Sequence, residues 1–228
     1  MITKFGSPTS GMGDLLLLTS ICKYFPNKLT IQLPSSKEKY SILFKGLANI
    51  EITECIYELP SLGWGHYSTR KLRNFFSSSA DLLDNRPLVL YSDIESEKWS
   101  FDYLKDKPNP VIVVPNCSKE WALVRNMPKT IVEENILNLK SNGFTPILII
   151  NKENKYETDY IHQLENLELK KYICLLRKIG LYVGCNTGDE HLAVAVGCST
   201  NVFQPKDGNG FNSIEWNYRH INNKYFLW

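Results

Sequence analysis

The four residues 111–114 (VIVV) are all apolar and β-branched, and they follow a charged cluster with two prolines at residues 105–110. A continuous run of this kind is typical of a strand that is buried on both faces of a parallel sheet. Proline lacks the backbone N–H, so the cluster cannot continue a helix or a central strand. The sequence therefore predicts a boundary near residue 108, followed by a new α/β unit.

Short apolar runs alternate with segments of helical spacing through most of the chain. We predict strands over residues 2–5, 29–33, 50–57, 88–91, 111–114, 146–150, 181–183 and 200–203. Helices are predicted over residues 14–24, 35–47, 67–76, 130–142, 169–179 and 189–196. The capping-box pairs Ser35 with Glu38 and Thr130 with Glu133 favour two of these helix starts. Such alternation indicates right-handed βαβ units and parallel sheets.

The predicted fold class is therefore α/β, with two small Rossmann-like domains over residues 1–107 and 108–228. Each has about 110 residues, which is enough for one modest core. Ligands of open parallel sheets bind beyond the carboxyl ends of the strands. We expect the two sheets to face each other across a cleft between those edges.

Composition excludes several classes of function. The chain has 228 residues with 26 basic and 24 acidic side chains, so no broad positive surface for nucleic acid is expected. No apolar run approaches the roughly 18 residues of a membrane span, and the N-terminus lacks the features of a signal peptide. The six cysteines form no C-x-x-C pair and have no zinc spacing with the four histidines. We expect buried, reduced cysteines and a cytoplasmic protein.

The first candidate site lies where the first strand turns into a helix, at residues 11–14 (GMGD). Glycines there let the backbone approach a ligand and free the amides at the helix start. The dinucleotide pattern G-x-G-x-x-G is absent. Asp14 fits two roles: a carboxylate base that faces a bound hydroxyl group, or an acidic residue that complements the helix dipole.

The second candidate site follows the strand at residues 181–183. Thr187, Gly188 and the next amides could cradle a phosphate, with His191 one helical turn further on. Thr187 and Glu190 also fit a capping box, which needs no ligand. Asp189 and Glu190 suit a helix N-terminus but would repel a diphosphate unless they point away. Both interpretations stay open at this point.

The third candidate site is the loop after the strand at residues 111–114. Ser118, Lys119 and Arg125 could bind an anion at that sheet edge, although loop charges are usually solvated. His66 opens a basic helix after a glycine-containing turn and could contact an acceptor, or it could be a packing residue.

Together these sites resemble glycosyltransferase family nine, the ADP-heptose:lipopolysaccharide heptosyltransferase-like enzymes. The family's N-terminal motif, glycine–aspartate before an aliphatic run, is matched by residues 13–19 (GDLLLLT). Its C-terminal motif, Asp-Thr-Gly-x-x-His-x-Ala, is matched by residues 186–193 (NTGDEHLA), where Asn186 replaces the leading aspartate. Residues 202–205 (VFQP) resemble the strand and turn that follow. The resemblance covers most of the chain in order.

The resemblance implies the two-domain GT-B fold and the transfer of a hexosyl or heptosyl group. The donor would be a nucleoside-diphosphate sugar, bound mainly to the second domain, and the acceptor a hydroxyl of a glycan or lipid-linked glycan. Asp14 would accept the proton of that hydroxyl, which attacks the anomeric carbon from the opposite face and inverts it.

The same resemblance implies the other site residues. His66 would lie on the acceptor side, and peripheral contact with a membrane is compatible with a lipid-linked acceptor. The leaving diphosphate would be stabilised without a metal and without any cofactor, which agrees with the absence of a D-x-D motif. The implied donor and phosphate ligands are Gly13, Ser118, Lys119, Arg125, Asn186, Thr187, Gly188 and His191.

Two other hypotheses remain at this stage. The chain could be a non-catalytic module that binds nucleotides or carbohydrates and derives from such an enzyme. It could also be an unrelated doubly wound α/β protein, which a single continuous sheet without a cleft near residue 108 would support.

Overall fold

The computed structural model describes residues 4–6, 11–22, 28–54, 87–117, 125–150, 162–206 and 223–227. Contacts divide the chain into two compact units, Met1–Tyr91 and Ser92–Trp228. Within the described residues every strand pairing is parallel, which confirms the predicted α/β class. The predicted helix over residues 67–76 lies outside the described residues.

The first unit has a three-stranded sheet in the order β1-β2-β3. Its strands are β1 (Lys4–Gly6), β2 (Leu29–Leu33) and β3 (Ile50–Glu54). Helix α1 (Met12–Cys22) follows β1, and a 3₁₀ helix (Ser35–Phe44) follows β2. The fully buried apolar side chains of this unit hold the layers together by removing apolar surface from water; they include Leu15, Leu16, Ile31 and Leu43.

The predicted strand over residues 88–91 is wrong. The backbone N–H of Leu88 donates to Oγ1 of Thr19 at 2.8 Å, and that hydroxyl donates to the Leu16 carbonyl at 2.6 Å. Residues 87–93 therefore run as irregular chain, and Leu90 is 51% exposed. The apolar run is typical of a strand, but the backbone N–H of Leu88 bonds to the Thr19 side chain of α1 and not to a neighbouring strand.

The second unit has a six-stranded sheet in the order β6-β5-β4-β7-β8-β9. The chain starts in the middle at β4, builds outward to β6, then returns to the other side of β4 and builds outward again. This is the doubly wound order of dinucleotide-binding folds. The strands are β4 (Pro110–Val114), β5 (Thr145–Ile150), β6 (His162–Glu165), β7 (Leu181–Cys185), β8 (Ser199–Gln204) and β9 (Asn223–Leu227).

The helices described in this unit are α2 (Ile94–Leu104), α3 (Lys129–Ser141), α4 (Leu169–Ile179) and α5 (Gly188–Ala195). Helix α2 was missed from the sequence. Asp93 caps it by accepting from the Ser96 N–H at 3.1 Å. Glu97 on α2 pairs with Lys178 at the end of α4, at 3.0 Å. Helix α2 therefore lies in the second unit, and the division by contacts falls before the predicted boundary at residues 107 and 108.

Two predicted capping boxes are wrong. The N-cap positions of the 3₁₀ helix and of α3 are held by Pro34 and Pro128, and neither helix start has a side-chain cap. Both prolines have an extended backbone, with ψ values of 152° and 139°. A proline ring restricts the backbone before the helix, so Ser35 becomes the first helical residue instead of its cap.

The core of the second unit lies on both faces of the sheet. Strand β4 is buried along residues 111–114, as its β-branched run predicted. Helix α4 buries a whole stripe of side chains and ends at Gly180, whose φ of 71° favours glycine. The described cysteines with side-chain positions are buried and unpaired in disulfides, namely Cys117, Cys174, Cys185 and Cys198. In the described part of the chain, no helix combines the length and the apolar character needed to cross a membrane.

Candidate functional site

In the sheet of the second unit, successive strands are added on one side of β4 up to β6 and on the other side from β7 onward. The switch point lies between β4 and β7. The chain leaves β4 toward β5 on one side and leaves β7 toward β8 on the other. The two connections separate at the carboxyl ends of these strands, and a crevice at such a point is where doubly wound proteins bind ligands. Residues 115–117 leave β4 there, and residues 186–187 connect β7 to α5.

Gly184 lets the end of β7 lie against the end of β4. It is aligned with Val114 in the parallel ladder. A Cβ atom at Gly184 would collide with the Val114 carbonyl oxygen and lie 2.7 Å from the Tyr182 hydroxyl oxygen. That hydroxyl is buried and donates to the Cys185 carbonyl at 3.1 Å. The strand ends at the switch point are therefore packed as tightly as a glycine allows.

Two carboxamides lie just beyond these strand ends. Asn116 and Asn186 each follow a buried strand by two residues or fewer. The Nδ2 atom of each is buried and has no hydrogen-bond partner among the residues that the structure describes. Buried amide groups are normally paired, so two unpaired ones at the same sheet edge are unusual.

Helix α5 begins at this edge. Thr187 is its N-cap, and Oγ1 accepts from the Asp189 N–H at 3.2 Å. Gly188 is the first helical residue, and His191, one turn in, is 7% exposed. Thr187 therefore forms an ordinary N-cap to Asp189 instead of the capping box that its spacing with Glu190 allowed, and the Glu190 side chain bonds elsewhere.

The Glu190 carboxylate accepts instead from the hydroxyl of Tyr225 on β9, at 2.9 Å from Oε1. Its Oε2 atom is buried and has no partner among the described residues. Burial raises the pKa of Glu190 from an ordinary 4.5 to about 7, against the opposing effects of the Tyr225 hydrogen bond and the Arg125 charge. Burial also raises the pKa of Asp189, against its hydrogen bond with Thr187. Burial therefore disfavours the charged form of both carboxyls.

The loop after β4 is tied to the start of α3. The Cys117 N–H donates to Oδ1 of Asn126 at 2.8 Å, and the Met127 N–H donates to the Pro115 carbonyl at 2.9 Å. These bonds bring Arg125 back to the strand end. Its positive charge opposes the effect of burial on the pKa of Cys117 as well as on that of Glu190. Arg125 therefore contributes positive potential at the edge where β4 and β7 end.

The structure thus brings together five of the residues that the sequence singled out: Arg125, Asn186, Thr187, Gly188 and His191. Ser118, Lys119 and His66 lie outside the described residues. Gly13 and Asp14 are in the first turn of α1, in the first unit. This helix begins at Met12, two residues earlier than predicted. Among the described residues there is no cluster of three side chains that could hold a metal ion.

Sequence reasoning missed Asn116 and Tyr225 at this site. Asn116 follows directly on Pro115 after the strongest strand of the chain, a position that could have pointed to the sheet edge. Tyr225 is in a tail without periodicity, and no local signal joins it to Glu190.

Comparison with known proteins supports the fold. No protein-family model and no curated protein matches the sequence. Among solved structures, ADP-heptose lipopolysaccharide heptosyltransferase II of Escherichia coli is similar at 10% identity with a TM-score of 0.67, over 99% of this chain and 90% of that one. A family nine glycosyltransferase of Veillonella parvula is similar at 9% identity with a TM-score of 0.68, over 99% and 85%.

The E. coli heptosyltransferase WaaC, solved with ADP-2-deoxy-2-fluoro heptose, is similar at 13% identity with a TM-score of 0.54, over 99% of this chain and 93% of that one. At identities this low the likeness concerns the fold. The resemblance to glycosyltransferase family nine is confirmed at that level.

Proposed function

We propose that this chain is a glycosyltransferase. It transfers a sugar from a nucleoside-diphosphate donor to a hydroxyl of a glycan or lipid-linked acceptor, with inversion and without a metal. The donor binds mainly to the second unit and the acceptor to the first. The observation that carries the proposal is the meeting of α5, Arg125 and two buried carboxamide Nδ2 atoms, without a partner among the described residues, at the switch point of a doubly wound sheet.

The chemistry of that edge suits a leaving diphosphate. The N-terminus of α5 has a positive dipole end, and Arg125 adds a full positive charge. Burial raises the pKa values of the nearby acids Asp189 and Glu190, which opposes the ionisation that would weaken this potential. Fixed positive charge and N–H donors stabilise a developing diphosphate without reorganisation and need no metal ion. Lys119 and Ser118, which follow β4 in the sequence, belong to this proposal as a further charge and a hydroxyl.

The similar solved structures support the choice of donor class. Those of WaaC were determined with ADP-2-deoxy-2-fluoro heptose and with ADP. An ADP-linked heptose is therefore the first donor to test on this chain, and other nucleotide sugars are the comparison.

Asp14 is the proposed base. It stands in the first turn of α1, directly after the strand β1 and its glycine-containing loop. In the proposed reaction the Asp14 carboxylate takes the proton of the acceptor hydroxyl while that oxygen forms the new bond to the anomeric carbon. The bond between that carbon and the diphosphate oxygen breaks, and the electron pair leaves with the diphosphate. His66 and Gly13 belong to the same proposal, on the acceptor and donor sides respectively.

Turnover assays with a panel of nucleotide sugars and glycan acceptors test the proposal. Asp14→Asn is expected to lower kcat by about 10²- to 10⁴-fold, the usual effect of removing a general base. Asp102→Asn, an exposed position on α2, is the matched control and is expected to keep full activity. Full activity of Asp14→Asn would refute the assigned base. Binding of nucleotide sugars without turnover on any acceptor would instead support a non-catalytic binding module.

A further inference from the structure

Asn116 and Asn186 follow adjacent strands, just beyond their carboxyl ends. The ladder between β4 and β7 pairs Val113 with Val183 and Val114 with Gly184. Continued by two residues, the same register pairs Asn116 with Asn186. Neighbouring strands are about 4.8 Å apart, and aligned residues of parallel strands share a face of the sheet. The two carboxamides therefore follow their strands side by side, at the point where the sheet changes direction.

Each of these side chains keeps an unused donor. The Nδ2 atoms of Asn116 and Asn186 are buried and without a partner among the described residues. Burying an N–H donor without an acceptor destabilises a protein. Among the described residues, two such donors at one sheet edge have no acceptor, as expected for groups whose acceptor arrives with a ligand.

The surroundings favour an anionic acceptor. Arg125 lies close enough to affect the pKa of both Cys117, next to Asn116, and Glu190, in the first turn of α5. A carboxamide N–H that meets a charged oxygen forms a stronger hydrogen bond than one that meets a neutral oxygen. Phosphoryl oxygens are acceptors only, so they match two donors at one sheet edge.

We propose that Asn116 and Asn186 form a paired donor, the carboxamide pair, that binds one phosphoryl oxygen of a nucleoside diphosphate. This inference rests on the proposed function, since it names how that function's donor is held. It adds Asn116 to the site and makes the two asparagines act on the same oxygen. An Asn116 that served the fold alone would have its amide paired within the protein.

Calorimetric titration of the full chain with ADP, UDP and inorganic pyrophosphate tests the pair. Asn116→Ala removes the donor without adding charge. For the ligand that wild type binds most tightly, the dissociation constant of this variant is expected to be about 10- to 100-fold higher. Asn116→Asp keeps the shape and puts a carboxylate in place of the N–H, so it is expected to bind more weakly still. Asn138→Asp, exposed on α3, is the matched control and is expected to bind like wild type.

A second measurement separates binding from folding. Thermal unfolding without ligand is expected to leave the melting temperature of Asn116→Ala equal to or above that of wild type, because the variant loses an unpaired buried donor. The double variant Asn116→Ala with Asn186→Ala is expected to lose less affinity than the two single losses together predict, since both amides serve one oxygen.

An unchanged dissociation constant for Asn116→Ala, while wild type binds a nucleoside diphosphate, would overturn the pair and leave the proposed function standing. A lower melting temperature together with unchanged binding would assign Asn116 to the fold and overturn the pair as well. Wild-type protein that binds neither ADP, UDP nor pyrophosphate would overturn the proposed donor site itself. Binding of pyrophosphate as tightly as ADP would support the pair and assign recognition to the phosphates alone.

Discussion

The hydroxyl of Tyr225 donates a 2.9 Å hydrogen bond to Oε1 of Glu190, and this contact ties the edge strand β9 to the first turn of α5. Glu190 is 1% exposed. The helix that begins at the candidate site thus depends on a buried acid and on a residue from the end of the chain. Both ends of this contact can be changed without changing side-chain shape.

Replacing Glu190 by Gln is expected to stabilise the protein in alkaline solution. Burial raises the pKa of Glu190 from 4.5 to about 7, so the folded state favours the protonated acid. The resulting stability is fully present below pH 4.5 and is lost as the pH rises through 7. A shift of this size is worth about 3 kcal/mol at most. Thermal unfolding at pH 5 and pH 8.5 should show a much larger gain for Glu190→Gln at pH 8.5 than at pH 5. Glu134→Gln, exposed on α3, is the control, and equal gains in both variants would contradict the assignment.

Replacing Tyr225 by Phe is expected to destabilise the second unit by about 1 to 3 kcal/mol, because it leaves a buried carboxyl without its donor. Losing the hydrogen bond should also move the pKa of Glu190 further above 7. Urea unfolding measures the first effect, and its pH dependence measures the second. Tyr40→Phe in the 3₁₀ helix is the matched hydroxyl deletion. If both variants unfold at the wild-type urea concentration, β9 does not support α5.

Replacing Gly184 by Ala is expected to cost about 2 to 3 kcal/mol of stability, since the added methyl group meets the Val114 carbonyl and the Tyr182 hydroxyl. Gly143→Ala is an informative comparison. It has φ of 78° with open space around a Cβ, so only backbone strain of about 1 to 2 kcal/mol opposes it. Chemical denaturation should rank Gly184→Ala as the less stable variant. The reverse order would mean that β4 and β7 can move apart at Gly184 without loss of stability. A loss of nucleotide binding is expected along with the loss of stability.

The affinity for a nucleoside diphosphate is expected to fall as the pH rises through 7, because ionised Glu190 adds negative charge near α5. The bound anion favours protonated Glu190, so binding takes up a proton and raises the pKa further. Binding titrations with ADP at pH 6 and pH 8 measure the effect. The phosphates of ADP also change protonation in this range, and the same measurement on Glu190→Gln corrects for that change. We expect the ratio of the two affinities to be about 3- to 10-fold larger in wild type than in the variant. Identical ratios would place Glu190 too far from the ligand to act on it.

The sequence predicted the helices and strands wherever burial imposes a local pattern of apolar residues. The strand over residues 29–33 and the helix over residues 169–179 were predicted with the bounds that the structure has. Helix α2 and strands β6 and β9 were missed. The exposed side chains of β6 and β9 show no apolar alternation, and these strands exist because a neighbouring strand offers backbone partners. The strand predicted over residues 88–91 failed for the opposite reason, since its apolar residues found no partner strand.

The sequence by itself determined that the chain is α/β, where the central strand begins, and which residues follow the strand ends. These are local properties, because β-branched runs, prolines and glycines restrict the backbone at their own positions. Only the tertiary structure decided that Asn116 and Asn186 follow adjacent strands, and that burial raises the pKa of Glu190. Sheet order and burial depend on packing between residues far apart in the chain, and a pKa is set by that packing rather than by the neighbouring sequence.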